Sequence, residues 1–145
     1  MKSLLCACII SYCAIASSGC GSSAAGKALL GSYSVMITSM GKTDPDVMTV
    51  SPAVDGNLLL SFAAGVTTDV GAPNAGGLRA NLSDSSKVSL DSQPVHIDHS
   101  TGSVTGTVTG DGVLNGDGSC DVTLHFTSEA GVGSPQDYEI TGSKE

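Results

Sequence analysis

Three side chains offer the chain's best metal-ligand chemistry: His96, Asp98 and His125. In "HIDHS", His96 and Asp98 fall on one face of an extended strand, while His99 falls on the other. Alternation therefore prevents that segment from supplying three ligands alone. His125, on the polar face of "CDVTLHFT", is the nearest candidate for a third. The strand "GSVTGTVT" intervenes in order, so the ordinary reading is three solvated polar-face groups with cross-strand partners. "GDGVLNGDGSCD" imitates a calcium loop through Asn115, Asp117 and Gly118. Placing Gly118 at the sixth loop position puts Val113 first and Leu124 twelfth, where oxygen ligands are required. The segment reads instead as a tight hairpin turn, with Asn-Gly and Asp-Gly meeting its backbone demands. Nucleophile motifs are missing: no G-x-S-x-G elbow, no phosphate-binding glycine pattern, and no thiolate-stabilising cation beside Cys120. The expectation is a chain that is not an enzyme and needs no cofactor.

Most of the remaining text is turn residues alternating with short β-rich runs. In "CDVTLHFT", Cys120, Val122, Leu124 and Phe126 oppose Asp121, Thr123, His125 and Thr127. The same two-residue period places Tyr33, Val35 and Ile37 on one face, then Leu58, Leu60 and Phe62. It recurs with Leu78, Ala80 and Leu82, with Val88 and Leu90, with Val95 and Ile97, and with Tyr138 and Ile140. Such alternation marks sheets that are dry on one side and wet on the other. With "DVMTVS" and "GSVTGTVT" there are about eight to nine strands, joined by turns such as "TSMGKTDP", "LSDSSK" and "LNGDGS". Short sequential links favour an antiparallel meander, and closure removes its two exposed edges. The reading is all-β: an up-and-down barrel or half-barrel, with a two-sheet sandwich as the alternative. Small inward residues would leave its interior thin. Cys120 shares the inward face and reads as a buried thiol.

The N-terminus has a different character. Lys2 precedes an apolar run from Leu4 to Ala16, too short to cross about 30 Å of hydrocarbon but of signal-peptide length. Ala14-Ile15-Ala16 offers an ordinary cleavage site, leaving a soluble periplasmic or extracellular chain that starts near Ser17. That chain keeps Cys20 free for a Cys20–Cys120 disulfide. The competing site is Ser17-Ser18-Gly19-Cys20, which resembles the lipobox of bacterial lipoproteins, although Ser17 stands where the family usually has Leu. The resemblance implies acylation of Cys20 and attachment to a membrane through that lipid. Gly21 beside it is similar to lipoproteins sent on to an outer membrane.

These signals divide the chain into residues 1–19 as signal, 20–29 as a Gly/Ser/Ala tether and 30–145 as one β domain. The whole chain carries a formal charge of −8, and loss of Lys2 leaves five basic against fourteen acidic residues, a net −9. Such a surface repels nucleic acid and anionic headgroups. Overall the chain resembles small bacterial envelope lipoproteins. That resemblance implies a non-catalytic structural or interaction role with a protein partner. The alternative is a carrier resembling lipocalins, with a small apolar ligand inside the barrel.

Overall fold

The structure is a computed structural model that describes residues 24–53, 56–63, 66–67, 77–99, 102–129 and 135–145. Cys20 and the signal-like segment lie outside these residues. One short helix, α1 (Ala24–Leu29), leads into nine strands. They are β1 (Gly31–Ser39), β2 (Lys42–Pro52), β3 (Leu58–Phe62), β4 (Val66–Thr67) and β5 (Leu78–Ser83), then β6 (Lys87–His99), β7 (Gly102–Leu114), β8 (Ser119–Ser128) and β9 (Gln136–Lys144). Every pairing is antiparallel. Strand β1 pairs with both β2 and β9, and β6 pairs with both β5 and β7, so eight strands close a ring in chain order. The two-residue β4 sits outside the ring, beside the C-terminal part of β6. Closure excludes the two-sheet sandwich.

An eight-stranded ring is just wide enough for its own side chains to fill. The dry face named by alternation does so: Tyr33, Leu58, Leu60, Leu78, Val122 and Ile140 are almost wholly enclosed. Inward glycines let the strands approach closely where the sheet coils. At Gly106 of β7, an added Cβ would lie 2.6 Å from the Phe126 ring, so that ring occupies space a side chain would need. At Gly142 of β9, the Val35 side chain of the neighbouring strand would lie 2.8 Å away.

Turns alternate between two ends of the barrel. At the end reached by α1, Asn115–Gly118 joins β7 to β8. Gly118 N–H donates to the Asn115 carbonyl at 3.0 Å, and Gly118 holds φ +94°. Asp117 Oδ1 accepts from both the Ser119 N–H, at 2.9 Å, and the Ser119 hydroxyl, at 2.8 Å. These bonds hold the Asp117 carboxyl below its ordinary range. At the other end, β1 turns into β2 through Met40 and Gly41 alone, with φ +51° and +74°. Sequence reads "TSMGKTDP" as a longer turn. Two consecutive positive φ values make a tight connection whose twist suits a hairpin, so Lys42–Pro45 joins the ladder.

The segment assigned by sequence to a tether also differs. Residues 24–29 form α1, which covers one barrel end and buries Leu29 to 1 % exposure. The Tyr33 hydroxyl donates to the Leu29 carbonyl at 2.8 Å, and Lys144 Nζ donates to the Ala28 carbonyl at 3.0 Å. Both bonds satisfy carbonyls that a helix end leaves orphaned. Six residues are too few for a helix to persist alone, so tertiary contacts hold this one.

Two places interrupt the ladder. Strand β5 pairs with β6 only over Asn81–Ser83, and the β6 register shifts between Leu90 and Gln93. There the Gln93 side-chain amide substitutes for a strand: Arg79 N–H donates to its Oε1 at 2.8 Å, and its Nε2 donates to the Arg79 carbonyl at 2.9 Å. The second place is the outer part of β2. Strand β3 ends opposite Met48, and the last bond between them runs from Ala63 N–H to the Val47 carbonyl. Among the described residues, Thr43 and Pro45 face no further strand.

Candidate functional site

The barrel end opposite α1 holds an apolar cleft lined by Ile37, Phe62, Val108, Leu124, Phe126 and Tyr138, among others. The parity of β1, β8 and β9 turns these residues inward, and the ends of their strands leave them nearest the opening. Three of the chain's five aromatics meet here. Tyr138 is the one polar group: burial pushes its phenol up, and among the described residues its hydroxyl has no hydrogen-bond partner. Free space in the cleft is about 20 Å³. One water needs roughly 10–15 Å³ and a drug-sized ligand roughly 300 Å³ or more. The cleft has room for about one water and can seat the edge of an apolar group. Among the described residues, its lining includes no nucleophile or acid–base pair.

Cys120 lies at the α1 end, 4 % exposed, on the inward face of β8. Burial pushes its thiol up, the neighbouring Asp121 carboxylate adds to the shift, and a hydrogen bond from the Gly142 backbone partly opposes it. The thiol is therefore protonated at neutral pH, a poor nucleophile and a poor metal ligand. The Tyr33 phenol is also raised, mainly by burial and secondarily by Cys120.

His96 and His125 are kept apart. His96 pairs across β6–β7 with Thr105, whose hydroxyl lies 3.4 Å from His96 Nδ1. His125 pairs across β7–β8 with Thr109. The two are thus two strands apart laterally, at ~4.8 Å each, and four residues apart lengthwise, at ~3.4 Å each, a separation of about 17 Å. They do not share a site. The Asp98 side chain lies outside the described part, with its backbone opposite Ser103. Among the described residues, no three His, Cys, Asp or Glu side chains are grouped to hold a metal ion.

Sequence reasoning missed the partner that His125 does have. Asp137 Oδ1 lies 2.7 Å from His125 Nδ1, both side chains largely in water. The polar-face parity of "QDYEITG" contained the signal, but the β8–β9 register was needed to set Asp137 opposite His125. Exposed pairs of this kind contribute little to stability, about 0–1 kcal/mol. Gln93 was also missed; its role depends on a register shift that period-two alternation does not encode.

The chain matches no protein-family model, no curated protein and no solved structure.

Proposed function

We infer that this is a lipid-anchored, non-catalytic protein of the cell envelope, whose barrel acts through its outer surface. The observation that carries the reading is the placement of α1. It begins at Ala24, so residues 21–23 alone separate Cys20 from the barrel end that α1 covers. Three extended residues reach about 10 Å. A lipid on Cys20 would therefore hold the covered end at the membrane and turn the cleft end outward. The filled interior supports contact over carriage, because a carrier needs space that about 20 Å³ does not provide.

Intact mass with N-terminal analysis, on protein from its native host, tests the anchor. The expected product begins at Cys20 and carries added acyl mass. A product beginning near Ser17 without added mass overturns the lipoprotein reading. A mass two hydrogens short would then identify a Cys20–Cys120 disulfide. Native mass spectrometry of gently purified protein tests the carrier alternative, and the expected result is an empty chain.

A further inference from the structure

Helix α1 joins the barrel at a glycine. Leu30 alone separates it from β1, and Gly31, the first residue of β1, holds φ +139°. Side chains rarely adopt that conformation, whereas glycine passes through it freely. An added Cβ at Gly31 would lie 2.8 Å from Lys144 Cε, so the lysine stem crosses directly over this residue. Hinged segments turn at such positions, where the end of an element absorbs a φ/ψ change.

What holds α1 down reaches it from the strands. Leu29 seats in the barrel end at 1 % exposure. The Tyr33 hydroxyl clasps the Leu29 carbonyl at 2.8 Å, and Lys144 Nζ clasps the Ala28 carbonyl at 3.0 Å. Tyr33 and Lys144 stand directly opposite each other in the β1–β9 ladder, so one cross-strand pair supplies both clasps. Residues 24–30 belong to no strand pairing, so α1 can lift without breaking a bond of the ladder. Freed from these contacts, six residues do not stay helical. Residues 21–30 then all serve as tether, and its reach grows from about 10 Å for three residues to about 33 Å for ten. Load applied through Cys20 meets α1 before any strand, because α1 stands first in chain order.

We propose that α1 is a hinged strap that gives the barrel two stand-off lengths. Docked, it holds the barrel end close to Cys20; released at Gly31, it lets the barrel stand roughly 20 Å further away. The stand-off rests on the lipid-anchor reading, whereas the hinge does not.

Native-state hydrogen exchange of the whole protein in low urea tests the hinge without a membrane. The Leu30 amide should exchange faster than the Leu124 amide of β8 and with a flatter dependence on urea, as local opening requires. Lys144→Met keeps a stem over Gly31 but removes the clasp, and should speed Leu30 exchange about tenfold. Gly31→Ala should speed it as well, since the new methyl meets the lysine stem only in the docked form. A shared rate and urea slope for Leu30 and Leu124 overturns the strap, because α1 would then leave only when the barrel unfolds. So does a Leu30 amide as fast as an unstructured one, which would mean no docked form. Stand-off is read on protein from its native host, in nanodiscs whose lipid headgroups carry gadolinium chelates. Leu29→Asp, which cannot seat in the apolar end, supplies the released form, with β8 exchange confirming an intact barrel. Broadening of the Gly118 amide, at the α1 end, should fall severalfold in that variant. Equal broadening overturns the two lengths. Protein that lacks acyl mass and stays off the nanodisc overturns the anchor and leaves the exchange result standing.

Discussion

Replacing Tyr33 by Phe removes one oxygen atom from the point where α1 meets the barrel. The ring of Tyr33 is fully enclosed, and its hydroxyl donates to the Leu29 carbonyl at 2.8 Å. In Tyr33→Phe the apolar packing stays, while that carbonyl, at the C-terminal end of α1, loses its donor. An unsatisfied buried acceptor costs about 1–3 kcal/mol. For a folded part of this size, with roughly 4 °C per kcal/mol, the melting temperature should fall by about 4–12 °C. Far-UV circular dichroism during thermal and urea unfolding measures the loss. Hydrogen exchange at the Leu30 amide, which donates to the Lys27 carbonyl, should report the loosening of α1. A second reading comes from pH. The folded-state Tyr33 phenol is raised above its usual value near 10, by burial first and Cys120 second. Below pH about 10 the phenol is protonated in both states and its contribution is whole. Above that, the unfolded chain ionises first, so the wild type loses stability as pH rises toward the folded value. Tyr33→Phe has no such phenol to lose, so the gap between the two proteins should narrow above pH about 10. A melting temperature within 1 °C of wild type, with unchanged Leu30 exchange, would refute this account of α1.

Gly106→Ala should cost about 1–3 kcal/mol by urea titration, because the new methyl collides with the Thr127 backbone carbonyl first and the Phe126 ring second; Phe126→Leu in the same chain should recover only the part due to the ring. Gln93→Ala should cost about 1–2 kcal/mol and raise hydrogen exchange at the Arg79 amide, since two bonds to the Arg79 backbone disappear. Peptide mapping after alkylation should find Cys120 unmodified in the folded chain and modified in urea; rapid alkylation of the folded chain would contradict its burial. Asp117, held low by its bonds to Ser119, contributes stability above its unfolded pKa that is lost as pH falls through the lower folded value. Asp117→Asn should therefore flatten the acid limb of a stability-against-pH curve.

Period-two alternation named the inward residues of nearly every strand because a closed barrel has one dry face, and a one-residue slip would reverse them all. Parity alone did not separate barrel from sandwich; the β1–β9 pairing, which joins the first and last strands of the meander, does. The helix α1 was illegible because "AAGKAL" shows no period, and its order comes from Tyr33 and Lys144, which reach it from strands. Likewise, Met40 at positive φ runs against its residue preference, so "TSMGKTDP" suggested a wider turn than the register allows. For the polar-face groups, alternation gave the side of the sheet but not the neighbour. His96 against Thr105 and His125 against Asp137 depend on registers fixed by loops whose lengths carry no residue-level code.

The ladder around the ring is uneven. Strand β7 is bonded to β8 along Gly106–Leu114, whereas β5 meets β6 over Asn81–Ser83 before Gln93 takes up the connection with a side chain. A side-chain amide can rotate away in nanoseconds, without any peptide group leaving its own strand. The cylinder thus has a built-in slit, closed by a rotamer rather than by backbone. A turn of residues 84–86 joins these two strands, so parting the seam opens a local hairpin and leaves the long-range β1–β9 pairing in place; the seam beside Gln93 should part first in the folded molecule.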